Sequence, residues 1–184
     1  MFGGDGLKKS SKTALGGIVA AASIALMFVL SVIPYLTYAL PAATGAFLIL
    51  ITIEIDKKWA FGVFAATGIL SLMLVPDKEA AILYIAFFGY YPIVKSLIES
   101  RIKSRFIEYL IKLAIFNFTI SAAYYLMIRF MGITLETSES FGAFAIPALL
   151  FMGNIAFIAY DFALTRIISV YLQKWQKHFR KIFK

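Results

Sequence analysis

From Thr13 to Ile53 the chain carries no charged residue. That run is long enough for two helices, each needing about 20 mostly apolar residues to cross a bilayer. Pro34 and Pro41 bracket the segment Pro34-Tyr-Leu-Thr-Tyr-Ala-Leu-Pro41, and neither fits a helix interior without breaking it, so the segment reads as a turn. The first span is then Ala14–Ile33 and the second Ala42–Ile53, short for a span and closed by Glu54, Asp56, Lys57 and Lys58. Charge-free runs follow at Trp59–Pro76, Ala80–Val94, Leu113–Ile128 and Ser140–Tyr160, divided by polar breaks at Pro76–Glu79, Glu99–Arg105 and Gly132–Glu139. The pattern predicts an all-α integral membrane protein, a single bundle of six transmembrane helices. Glu99 before Lys103 and Glu108 before Lys112, both at i,i+4 in the favourable order, predict helical extensions of the fourth and fifth spans.

The loop charges give the bundle a direction. Of the 18 Lys and Arg residues, only Lys78 and Arg129 fall on the side opposite the N-terminus, next to the acidic Glu136 and Glu139. By the positive-inside bias, both termini are cytoplasmic and the host is the cell (plasma) membrane. The layout is one domain: a basic start over 1–12, six spans over 14–168 and a basic amphipathic helix over 169–184. The apolar stripe of that helix starts at Ile168 and repeats at Tyr171, Leu172, Trp175, Phe179 and Ile182, suiting an anionic inner leaflet. The first span is read as a retained anchor, because its apolar stretch is too long for a signal-peptide core.

Composition supports the lipid setting: 61% hydrophobic, 15% charged and a mean hydropathy of +0.86. Soluble domains carry about 45–50% apolar and roughly 25% charged residues. The net charge of +8 is absorbed by the cytoplasmic loops, so no nucleic-acid partner is expected. With no cysteine and a single histidine, His178 in the basic tail, thiolate chemistry, histidine-dependent membrane hydrolysis and histidine metal centres are excluded. A Gly-x4-Gly-Lys-Ser/Thr loop is absent, so ATP is not hydrolysed here in the P-loop manner. The chain is expected not to be an enzyme, to need no cofactor and to hold no metal.

A few residues stand out against the apolar background. Gly17, Ala21 and Ala25 recur at four-residue spacing on the first helix, which lets another helix approach closely, either within the bundle or on a separate subunit. Pro92 removes the amide partner of the Phe88 carbonyl and predicts a kink beside Gly89. Asn117 and Asn154 lie near the middle of the fifth and sixth spans, and Tyr124 and Tyr125 in the outer third of the fifth. Glu54, Lys95, Lys112 and Asp161 gather towards the cytoplasmic end, where they either pair with one another or relay a proton or ion.

With these residues in view, the layout resembles the substrate-binding (S) components of energy-coupling factor (ECF) transporters. The shared features are the length, six helices, both termini inside, the lysine-rich start, the Gly17/Ala21/Ala25 stripe and the Pro41-Ala-Ala-Thr-Gly45 start of the second helix. The resemblance implies uptake of a vitamin-like small solute, energised by a transmembrane coupling subunit and cytoplasmic ATPases. It implies that Gly17, Ala21 and Ala25 contact the coupling subunit and that Tyr35, Tyr84, Tyr91, Asn117, Tyr124 and Asn154 contact the solute. Two other readings use the same residues: a non-transporting membrane scaffold of the rod-shape type, and a stand-alone ion-coupled carrier.

Overall fold

A computed structural model describes residues 8–31, 38–131 and 145–176 of the chain. Among them there are only helices. They are α1 (Lys9–Leu30), α2 (Ala39–Glu54), α3 (Lys57–Leu74), α4 (Lys78–Arg101), α5 (Arg105–Met131) and α6 (Ala145–Val170), the last continuing as a π-turn over Tyr171–Trp175. Five of the six are long and apolar enough to cross a membrane, as a multi-pass membrane protein requires. The exception is α2, whose 16 residues rise about 24 Å, short of a hydrocarbon core of about 30 Å.

Local signals set the ends. Asp56 accepts from the Trp59 amide at 2.7 Å and Asp77 from the Ala80 amide at 3.0 Å, capping the N-termini of α3 and α4. Lys78 donates to the Leu72 and Val75 carbonyls at 2.8 and 2.9 Å, satisfying orphan acceptors at the end of α3. Pro41 and Pro147 both sit in a first helical turn, where a missing amide costs nothing. The second helix therefore starts before Pro41, at Ala39, and residues 32–37 of the predicted turn lie outside the described residues. The helices outrun the charge-free runs. Asp161 and Arg166 close the sixth apolar run, yet α6 passes through both without a break. Of the two predicted i,i+4 pairs, Glu108–Lys112 forms at 2.6 Å. Glu99 does not reach Lys103, because the chain turns extended at Ile102, and it pairs instead with Lys95 and Lys112.

α2 runs through the middle of the bundle, packed on α1 and α3 on one side and on α4 and α6 on the other. Leu48 and Ile51 of α2 join Leu15, Met27, Ala60 and Tyr84 in one core; Ile49 joins Phe87, Tyr91, Phe116 and Phe157 in a second. The outer faces are as apolar as the core: Phe118 and Phe151 are 76% and 67% exposed. Contacts divide the bundle into two ends. Glu54 meets Tyr171 and Gln176 where the basic loops lie, and Tyr38, Glu79 and Tyr124 meet at the opposite end.

The predicted break in α4 is present and has a defined form. Residues Tyr84–Phe88 make a π-turn, with the Gly89 amide bonded to the Tyr84 carbonyl at 2.7 Å, and the helix restarts at Tyr91 with Pro92 in its first turn. The Phe88 carbonyl, deprived of its i+4 donor by Pro92, lies directly against Gly45 of α2. A β-carbon at position 45 would overlap that oxygen and come within 2.9 Å of the Phe88 carbonyl carbon. Glycine is required here because backbone meets backbone.

Candidate functional site

Between the start of α2, the first half of α4, the second half of α5 and the first half of α6 lies a cavity of about 820 Å³. Its volume is in the range of small-molecule sites. Tyr38, Ala42 and Leu83 form one side, Ile120, Tyr124 and Ile128 a second, and Leu149, Gly153 and Ala156 a third. Phe88, Phe116, Phe157 and Tyr160 close it towards the basic end. Its few polar groups are Ser121 and the tyrosine hydroxyls. At its rim Tyr124 Oη lies 3.2 Å from Tyr38 Oη and 3.1 Å from Glu79 Oε1, tying α2, α4 and α5 together.

The closed end is an aromatic layer. Phe87 stacks on Tyr91 at 4.6 Å between centroids, and Phe116 stacks on Phe157 at 4.8 Å. Edge contacts at 5.1 and 5.7 Å join Phe87 to Phe116 and to Phe157. Such pairs contribute about 0.5–1.5 kcal/mol each beyond burial. Tyr91 carries the layer into a buried ion network. Its hydroxyl donates to Asp161 Oδ1 at 2.6 Å, and Lys95 Nζ reaches the same oxygen at 2.6 Å. Lys112 bonds Asp161 Oδ2 at 3.4 Å, Glu99 at 2.8 Å and Glu108 at 2.6 Å. Lys95, Lys112 and Asp161 are 1%, 1% and 2% exposed, so these charges are held by one another rather than by water. Mutual pairing of Lys95, Lys112 and Asp161 is what the geometry contains. Glu54 is apart from them, at Tyr171 and Gln176.

The residues singled out for solute contact fall in different places. Tyr124 lines the cavity. Tyr84 is fully buried in the core shared by α1, α2 and α3, with its ring 5.9 Å from Phe64. Tyr91 belongs to the aromatic layer and the ion network. Asn117 and Asn154 face each other across α5 and α6, exchanging amide bonds at 2.8 and 3.0 Å while each also donates to the carbonyl four residues back. Tyr35 lies outside the described residues. Tyr38, Glu79 and Tyr160 were not singled out from the sequence. Tyr38 and Glu79 looked like ordinary turn residues, and Tyr160 was hidden by its neighbour Asp161.

The asparagine pair makes a quantitative expectation. In lipid such a bond competes with other partners in the unfolded state, so coupling is small. A double-mutant cycle with Asn117→Ala and Asn154→Ala, read by unfolding in mixed detergent micelles, should give about 0.6 kcal/mol. A coupling indistinguishable from zero would show that the pair does not hold α5 to α6.

On α1, Leu15, Val19 and Met27 point inward, and Gly16 meets Val63 of α3. Gly17, Ala21 and Ala25 lie on the exposed face, with open space around the Cβ position of Gly17. The four-residue stripe is therefore not used for packing among the described residues. Nor do three or more His, Asp or Glu side chains among the described residues come together as a metal site. Comparison with family models, curated proteins and solved structures gives no match for this chain.

Proposed function

We propose that this chain is a membrane-embedded capture subunit for a small, largely apolar solute, with six spans and the basic end in the cytoplasm of a cell whose plasma membrane it occupies. The observation that carries the reading is the cavity, lined almost wholly by apolar side chains and bounded on the side of the basic loops by stacked aromatics and a buried ion network. An apolar cavity of small-molecule size is what a capture step needs. The chain carries no ATP-binding loop of its own. Energy then comes from a transmembrane coupling subunit and cytoplasmic ATPases, as in the ECF S components that the sequence resembles. The exposed Gly17/Ala21/Ala25 face supports a docking role, since small residues let a partner helix approach closely. A rod-shape-type scaffold would use the same face, but it would have no use for the cavity.

Native mass spectrometry of the protein extracted with its neighbours tests both parts. The wild type should carry a small molecule and partner subunits. Ala156→Trp, which fills the cavity, should lose the small molecule and keep the partners; Ala21→Trp should do the reverse. Capture is ruled out by a wild type that holds no small molecule, or by one retained equally when position 156 is tryptophan.

A further inference from the structure

The rim of the cavity differs in chemistry from its walls. Tyr38 and Tyr124 line it, and Tyr124 bonds Glu79, in the first turn of α4. Protons are scarce in this trio. One hydroxyl proton is shared between Tyr124 and Tyr38 and the other is taken by the Glu79 carboxylate. An ionised carboxylate only accepts, at about four lone-pair positions. A visiting group therefore meets acceptors and negative charge.

The surrounding charges reinforce this. Asp77 precedes Glu79 at the start of α4, and its field reaches Tyr38. Lys78, the cation between them, turns its ammonium to the end of α3, where the Leu72 and Val75 carbonyls hold it. Arg129 is exposed on the last turn of α5. Below the rim, from Tyr124 to Phe116, the α5 wall is apolar apart from Ser121 over eight residues, about 12 Å. Tyr125, Leu149 and Met152 belong to the wall and are also exposed on the outside of the bundle, so a molecule already dissolved in the bilayer can reach it.

We infer that the occupant is a cationic amphiphile: an alkyl or ring body that fills the apolar cavity and an ammonium head against Glu79, which the Tyr124 hydroxyl joins to the cavity lining. The inference rests on the capture reading and adds the charge of the head group to it. A carboxylate gives an ammonium its counter-charge. An anionic head would face repulsion from Glu79 and Asp77. A neutral alcohol would gain the apolar contacts alone and one hydrogen bond.

The test uses purified protein in phosphatidylcholine nanodiscs and three radiolabelled probes with the same tail: dodecyltrimethylammonium, dodecanol and dodecanoate. Wild-type protein should bind the ammonium probe about tenfold more tightly than the other two, the size expected of one counter-charge. Glu79→Gln, which keeps an acceptor for Tyr124, should erase that preference and leave dodecanol binding unchanged, which also shows that the variant is folded. Ala156→Trp should abolish saturable binding of all three. Equal affinity for the ammonium and the alcohol, both lost in Ala156→Trp, would overturn the head-group inference and leave capture standing. Saturable binding of no probe to the wild type would overturn both.

Discussion

Asp161→Ala is expected to cost about 3–5 kcal/mol of stability, the usual penalty for removing one member of a buried ion pair. In a domain of this length that corresponds to a fall in melting temperature of roughly 6–20 °C in detergent. The carboxylate holds three groups at once. Tyr91 would be left with a buried unbonded hydroxyl, and Lys95 and Lys112 would lose the partner that is as deeply buried as they are. Glu99 would remain for both lysines, but it is 37% exposed and shares its charge between them. Glu108→Gln, at a residue nearer the surface that still offers Lys112 an acceptor, should cost no more than about 1 kcal/mol. Replacing Lys95, Lys112 and Asp161 together by Met, Met and Leu should recover most of the loss, since apolar side chains of similar volume need no partners. If Asp161→Ala melts with the wild type, the network does not hold α4, α5 and α6 together.

The second large effect concerns Gly45. Gly45→Ala should destabilise by about 1–3 kcal/mol, the range for forcing a methyl into a filled interior. The obstacle is the Phe88 carbonyl, which is backbone and cannot rotate aside, with the Tyr160 hydroxyl 3.0 Å away on the other flank. Gly17→Ala makes the internal control. Nothing lies within 4 Å of its Cβ position, so the same substitution should stabilise by about 0.5–1 kcal/mol through helix propensity. Opposite signs for one substitution on two apolar helices, measured by the same unfolding assay, check the packing of α2 on the break in α4. A neutral Gly45→Ala would mean that the two backbones are not in contact.

Much of the architecture was legible in the chain. Charge-free runs located every helix, and Pro92 located the break in α4 because a missing amide acts locally. Asp56 and Asp77 cap helices for equally local reasons. Helix lengths were less legible. The charge-free runs stop at Val94 and Tyr160, and charge pattern alone does not say how Lys95 and Asp161 are accommodated beyond them; in the fold they continue their helices by neutralising each other. Asn117 and Asn154 were legible as polar residues at mid-span, but not as a pair. Their mutual bonds depend on the relative rotation of α5 and α6, which no local rule supplies.

The sequence by itself determined that the described residues are helical, where their apolar helices lie, where α4 is interrupted and where the basic residues gather. Tertiary structure alone decided which face of each helix is buried. In a water-soluble helix the apolar stripe marks the core, but in a membrane the outer face is apolar as well. Phe118 and Phe151 face outward and Phe87 and Phe157 face inward, with nothing in residue type to tell them apart. For the same reason the packing decided that Gly45 is enclosed while Gly17 is open. It also decided that Tyr38 and Tyr124, from separate helices, share the rim of one cavity and that Glu79 of a third helix bonds Tyr124 there.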